Sequence, residues 1–120
     1  MPRRRLLIVE DEVLIAEDLA VIAEEAGFEV AGPYLRLSEV PKDLGDISAA
    51  ILDLNICGAS AYPLLDRILE LNIPVTLYTG YDANSGPEKY ANVSRVNKPS
   101  ACADAIQDVM RQLAVRTPGL

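Results

Sequence analysis

Residues 5–12 have the sequence RLLIVEDE, in which four apolar residues are followed directly by three acidic ones. A short, unbroken apolar run is typical of a strand buried on both faces in a parallel sheet. Carboxylates that follow such a strand lie at its carboxyl end, where open α/β domains bind their ligands. The stretch therefore predicts a buried strand over Arg5–Val9 and a polar site that begins at Glu10 and Asp11.

The same arrangement, an apolar run closed by a polar side chain, recurs three more times. The polar residues are Asp53 after residues 49–52, Thr79 after residues 75–78, and Lys98-Pro99 after residues 93–97. Because the carboxyl ends of parallel strands share one edge of the sheet, three carboxylates, one hydroxyl and one ammonium are expected to meet there.

Strand-like runs alternate with helical patterns along the whole chain, which predicts a doubly wound, five-stranded parallel α/β sheet covered on both faces. The predicted strands are Arg5–Val9, Glu29–Ala31, Ala49–Leu52, Val75–Tyr78 and Val93–Val96. The predicted helices are Val13–Ala26, Ser38–Leu44 (short, and disturbed by Pro41), Tyr62–Leu71 and Ser100–Val115. Glycine, serine and proline in the segment 82–92 predict that a helix between the last two strands is short or irregular.

Helical spacing also predicts which side chains lie in the core. In the first helix the apolar stripe is formed by Ile15, Leu19, Ile22 and Ala26. In the last helix Met110 is expected to fill the core beside Ile106 and Val109.

Composition narrows the classes of function. A chain of 120 residues predicts a single domain, residues 1–120, without an output domain. The net charge of −7 argues against nucleic acid as a partner, and the lack of a long apolar run argues against a membrane and favours a cytoplasmic location. Cys57 and Cys102 lack the spacing of a zinc site and are expected to be reduced thiols.

The converging groups suggest a metal and a phosphoryl group. Two carboxylates about 4 Å apart repel by roughly 4 kcal/mol at an effective dielectric constant near 20, so three of them require a cation or protonation. Mg²⁺ prefers such oxygen ligands. A carboxylate at the position of Asp53 can attack phosphorus and form an acyl phosphate, while Thr79 and Lys98 bind the phosphoryl oxygens. Considered alone, Glu10 and Asp11 could instead simply open a helix.

Taken together, these motifs resemble those of the receiver domains of bacterial response regulators in two-component signalling. The resemblance implies strand order 2-1-3-4-5, phosphorylation of Asp53 by a histidine kinase or histidine phosphotransfer protein, a switch role for Thr79 and phosphate binding by Lys98. It also implies Mg²⁺, or Mn²⁺, held by Asp11, Asp53 and the backbone carbonyl of Asn55, with Glu10 acting mostly through water. Family members often have a cis peptide before the proline that follows the lysine. Turnover of an external substrate is not expected, and homodimerisation is left open.

Two details concern the switch. Residues 77–81, LYTGY, resemble the Phe-Ala-Thr-Gly-Tyr motif of a group of single-domain receivers in their last three positions. Ordinary receivers have an aromatic residue three positions before the lysine, where this chain has Arg95. We therefore hypothesise that Tyr81 or Tyr78 replaces that aromatic side chain.

Two alternatives remain at this stage. A haloacid-dehalogenase-like phosphatase uses similar groups, but it carries a second Asp two positions after its nucleophile, where this chain has Asn55. A degenerate receiver that acts as a docking module without phosphorylation is the other, and Arg95 keeps it open.

Overall fold

The computed structural model describes residues 3–80 and 86–115. Its main element is a parallel five-stranded sheet made of β1 (Arg5–Val9), β2 (Glu29–Tyr34), β3 (Ala49–Leu52), β6 (Val75–Thr79) and β7 (Ser94–Asn97). A two-stranded antiparallel hairpin is formed by β4 (Asn55–Ile56) and β5 (Ala59–Ser60). The helices are α1 (Val13–Glu25), α2 (Tyr62–Glu70) and α3 (Cys102–Val115).

The sheet order is β2-β1-β3-β6-β7, which is the predicted order 2-1-3-4-5 and confirms the predicted fold class. β2 and β6 extend further than predicted, to Tyr34 and Thr79, and β7 begins one residue later. The extension of β6 makes Thr79 part of the sheet itself.

Both faces of the sheet are buried, because alternate side chains of each strand point to opposite sides. Leu7 and Val9 belong to a core with α2 and Tyr90, whereas Leu6 and Ile8 belong to a core with α1 and α3. We call these two layers the α2 face and the α1/α3 face. The two-sided burial explains why the strands are continuous apolar runs rather than alternating ones.

The predicted second helix, Ser38–Leu44, is wrong. The structure has only a 3₁₀ turn, Leu37–Glu39, and Val40 after it is extended with ψ 130°. Proline disfavours the helical conformation of the residue before it, so Pro41 stops the turn at Val40. An irregular segment therefore covers this part of the α2 face.

Two of the predicted core residues, Ala26 and Met110, are wrong. In α1 Leu19 is buried and Ile15 and Ile22 pack against the core, which confirms that part of the stripe. Ala26 is exposed, and the structure buries Ala16 and Ala23 in addition. Met110 in α3 is 42% exposed. Small alanine side chains let a helix pack closely, a feature that a search for large apolar residues overlooks.

Between β6 and β7 the described residues 86–92 contain a single 3₁₀ turn, Glu88–Tyr90. This agrees with the predicted short or irregular fourth helix. Residue Tyr81, named in the switch hypothesis, lies outside the described residues. Within the described part of the chain no helix is long and apolar enough to cross a membrane.

A buried polar network ties α3 to β6. The Thr76 hydroxyl donates to Asp108 Oδ2 at 2.6 Å, and Gln112 Nε2 donates to the same oxygen at 3.2 Å and to the Val75 carbonyl at 3.0 Å. Asp108 Oδ1 accepts from Arg111 at 3.3 Å. Thr76 is fully buried and Asp108 is 9% exposed, so this carboxylate is buried with its hydrogen bonds made.

Candidate functional site

The carboxyl ends of four strands place the predicted site residues along one edge of the sheet. Glu10 and Asp11 follow β1, Asp53 follows β3, Thr79 ends β6 and Lys98 follows β7. The peptide bond between Lys98 and Pro99 is cis. The structure therefore assembles the motifs that the sequence separates by up to 88 positions.

Three carboxylates meet at this edge. Glu10, Asp11 and Asp53 each offer an oxygen, and these oxygens lie within 4.8 Å of one another. Glu10 is 1% exposed and Asp53 is 7% exposed, while Asp11 is half-buried. Charges this close and this far from water repel strongly, so the arrangement needs compensating positive charge.

Lys98 supplies part of that charge. Its Nζ lies 2.9 Å from Asp53 Oδ2 and 2.9 Å from Glu10 Oε2. Glu12, which was not predicted as a site residue, brings Oε1 to 4.0 Å from the same nitrogen. One ammonium thus faces the three carboxylates of Glu10, Asp11 and Asp53, which leaves the site with an excess of negative charge.

The pKa shifts at this edge reflect the burial of the groups and the hydrogen bonds between them. Burial raises the pKa of Glu10 to about 7, against the lowering effect of its hydrogen bonds from Lys98 and from the Glu12 backbone. Burial lowers the pKa of Lys98, but hydrogen bonds to Glu10 and Asp53 outweigh it, and the net pKa is raised. Lys98 is therefore a permanent cation at neutral pH, whereas Glu10 can exchange a proton there.

The β4–β5 hairpin closes one side of the site, and its position was not predicted from the sequence. Its turn residues, Cys57 and Gly58, have positive φ angles of 53° and 82°. The Cys57 N–H donates to Asp11 Oδ2 at 2.7 Å, and the Asn55 N–H donates to Asp53 Oδ1 at 3.4 Å. A two-residue X-Gly turn between short strands is the signal that could have revealed it.

A surface cavity of about 330 Å³ opens onto the site and is lined by seven residues. They are Asp11, Glu12, Asp53, Asn55, Gly58, Gly80 and Lys98. Thr79 is fully buried and lies directly before Gly80, and its carbonyl accepts the backbone N–H of Lys98 at 2.9 Å. The cavity therefore lies between Lys98, the carboxylates and the carboxyl end of β6.

Tyr78, named in the switch hypothesis, lies on the opposite side of the sheet from Arg95. Its side chain packs on the α1/α3 face, where its hydroxyl donates to the Ser100 carbonyl and its ring centroid lies 5.6 Å from Lys98 Nζ. Arg95 pairs in register with Leu77, which belongs to the opposite, α2 face. Tyr78 and Arg95 are therefore on different sides of the sheet.

The sheet order and the carboxyl-edge position of the site define an open, parallel α/β domain. No protein-family model matches the sequence, and no curated protein matches it. Solved structures do match over nearly the whole chain.

A CheY-like response regulator receiver domain protein from Methanospirillum hungatei has a TM-score of 0.79 at 21% identity, covering 96% of this chain and 97% of that chain. Response regulator DrrB from Thermotoga maritima has a TM-score of 0.80 at 22% identity, over 99% of this chain and 56% of that chain. Response regulator TrrA from Thermotoga maritima, in complex with Mg²⁺-BeF, has a TM-score of 0.72 at 26% identity, over 92% and 98%. The chain therefore has the fold of response regulator receiver domains.

Proposed function

We propose that this protein is a phosphorylation-dependent signalling switch in which Asp53 accepts a phosphoryl group from a histidine kinase or a histidine phosphotransfer protein. The observation that carries the proposal is the pairing of a buried carboxylate, Asp53, with Lys98 at 2.9 Å beside two further carboxylates at the mouth of a cavity. A surplus of buried negative charge is unfavourable for stability alone. It suits a site that binds a cation and a phosphoryl group.

The donor set fits Mg²⁺ or Mn²⁺. Carboxylate oxygens of Glu10, Asp11 and Asp53 lie within 4.8 Å of one another, and Lys98 balances only one of the three charges. Asp11, Asp53 and the carbonyl of Asn55 would hold the ion, with Glu10 acting mostly through water, because Mg²⁺ takes few protein ligands and keeps several waters. When bound, the ion would supply positive charge that neutralises the phosphoryl oxygens.

The transfer step forms one bond and breaks another. A lone pair of an Asp53 carboxylate oxygen attacks phosphorus, and the P–N bond to the donor imidazole breaks with its electron pair going to nitrogen. Lys98 remains protonated, because its pKa is raised, and pairs with a phosphoryl oxygen in the product. Water later hydrolyses the acyl phosphate to Asp53 and inorganic phosphate, so the protein returns to its starting state without turning over another substrate.

Thr79 connects the site to the rest of the molecule. Its hydroxyl is proposed to bond a phosphoryl oxygen, which draws the end of β6 inward and biases the following segment toward a second arrangement. The output is then a change in contacts with a protein partner.

Intact-protein mass after incubation with acetyl phosphate and Mg²⁺ tests this function. The parent should gain one phosphoryl group, and Asp53→Asn should gain none. A gain in both proteins would place the acceptor elsewhere.

No gain in the parent, together with no NMR shifts at the site on adding beryllofluoride and Mg²⁺, would favour a docking module instead. Hydrolysis of p-nitrophenyl phosphate by the parent would point to a phosphatase.

A further inference from the structure

Tyr90 is the buried anchor of an exposed segment. It is 2% exposed, although the other described residues of 86–92 are all exposed. Its ring stacks on that of Tyr62, the first residue of α2, with centroids 4.7 Å apart and planes 2° from parallel. Such a stack adds to the stabilisation that area burial gives, so this single contact holds much of the segment in place.

The hydroxyl of Tyr90 adds a second tie to the same helix. It donates to Asp66 Oδ1 at 2.6 Å, and Asp66 is one helical turn beyond Tyr62. Lys89 Nζ lies 3.5 Å from the same oxygen and 4.9 Å from the Tyr90 ring centroid. A short hydrogen bond to a carboxylate is stronger than one between neutral groups, and burial raises the pKa of Tyr90, which keeps the hydroxyl a donor.

A continuous set of contacts joins this anchor to Asp53. The Asn55 N–H donates to Asp53 Oδ1 at 3.4 Å and begins the β4–β5 hairpin. At the other end of the hairpin Ser60 Oγ accepts the N–H of Tyr62 at 3.2 Å. The residue that receives the phosphoryl group and the ring that faces Tyr90 are therefore linked through one short hairpin.

A second cavity, of about 280 Å³, lies between the hairpin and the segment 86–92. Asn55 and Gly58 line both this cavity and the one at Asp53, and Tyr62 and Gly86 form its far wall. A β-carbon at Gly86 would lie 2.7 Å from the Tyr62 hydroxyl oxygen. The hairpin therefore has free space on the side of this cavity, while the Tyr62 side chain is tightly packed against Gly86.

We propose that Tyr90 is a conformational latch, which holds the segment 86–92 against α2 before phosphorylation and releases it when Asp53 is phosphorylated. This inference rests on the proposed function. It gives Tyr90 the role that the aromatic residue at the position of Arg95 has in ordinary receivers. Tyr90 packs on the α2 face together with Leu77, which pairs in register with Arg95. Added phosphoryl charge beside Asn55 displaces the hairpin, the hairpin moves Tyr62, and the stack opens.

Hydrogen exchange in the unphosphorylated protein tests the holding role. Tyr90→Phe keeps the ring and removes the hydrogen bond to Asp66, and we expect the amides of Tyr90, Ala91 and Val93 to exchange about tenfold faster. Tyr34→Phe, which removes the hydroxyl of a half-buried tyrosine elsewhere on this face, is the matched control. Equal exchange in the two variants would overturn the latch.

The release is tested on the parent protein by the same exchange measurement with beryllofluoride and Mg²⁺ or after phosphorylation. We expect the three amides to reach the rates of Tyr90→Phe and the NMR signals of the Tyr62 and Tyr90 rings to shift. A phosphoryl gain by mass without these changes would overturn the latch and leave the proposed function intact. If neither reagent modifies the site, the proposed function fails, and with it the release.

Discussion

Within the described part of the chain, two clusters of buried polar groups contain carboxylates, and they are built differently. In the network between α3 and β6 one carboxylate, Asp108, accepts hydrogen bonds from Thr76, Gln112 and Arg111. At the carboxyl edge, Glu10, Asp11 and Asp53 face one ammonium, that of Lys98.

This difference distinguishes a polar cluster that stabilises the fold from one that is suited to binding a ligand. A buried carboxylate whose acceptor positions are satisfied strengthens the fold, whereas clustered carboxylates short of positive charge weaken it until a ligand arrives. If this comparison is correct, the same Asp→Asn change should have opposite signs in the two clusters.

Removing the shared cation should have the largest effect. In metal-free buffer Lys98→Met leaves Glu10 and Asp53 buried without a counter-charge, so we expect the free energy of unfolding to fall by about 3–5 kcal/mol. Urea denaturation measures the loss, and Mg²⁺ should restore part of it. Lys42→Met, at an exposed lysine, should be neutral; an equal loss there would mean that the effect is not specific to the site.

The pH dependence of stability should come next. The pKa of Glu10 rises from 4.5 to about 7 on folding. Between these values the unfolded chain loses this proton while the folded protein keeps it, so raising the pH favours unfolding. We expect a loss of about 3 kcal/mol between pH 4.5 and pH 7 in metal-free protein. Subtracting the urea-denaturation profile of Glu10→Gln isolates this contribution, and a flat difference would contradict it.

Asp108→Asn should destabilise by about 2 kcal/mol. The new side-chain amide places an N–H group opposite Gln112 Nε2, which itself donates to Asp108 Oδ2 at 3.2 Å, so two donors face each other. The amide is also a weaker partner than the carboxylate for the Thr76 hydroxyl. Thermal unfolding with and without Mg²⁺ measures the change. Mg²⁺ should not stabilise this variant more than it stabilises the parent, because the network is remote from the carboxyl edge of the sheet. A larger stabilisation of the variant would contradict the comparison.

The same chemical change at Asp53 should have the opposite sign. Asp53→Asn removes one of three crowded charges, and we expect metal-free protein to gain about 1 kcal/mol of stability. Thermal unfolding in a chelating buffer measures the gain. A loss as large as that of Asp108→Asn would show that Asp53 is held as a structural partner of Lys98.

The sheet and most of the site follow from the sequence because both have local signals. Buried parallel strands are apolar runs, and polar residues that close such runs fall on one edge whatever the details of packing. Glu10, Asp53 and Lys98 could therefore be placed together without knowing the helices.

The misassigned elements depend on tertiary contacts. A short helix disturbed by Pro41 was predicted at Ser38–Leu44, but Pro41 keeps the residue before it extended and no α-helix forms there. The burial of Ala16 and Ala23 reflects close packing of α1, which periodicity of large side chains does not report. The latch pair, Tyr62 and Tyr90, is 28 positions apart, and no local pattern connects the two residues.

The two edge strands also restrict how this protein can assemble. β2 contains Pro33, which has no N–H to donate, and its register with β1 shifts between Leu7 and Val9. β7 has only four residues, one of them the cationic Arg95, and Pro99 follows it closely. Short, charged or proline-bearing edges resist the addition of further strands. Self-association and partner binding should therefore use helices and loops rather than extension of the sheet, and the exposed backbone is protected from fibril-like pairing.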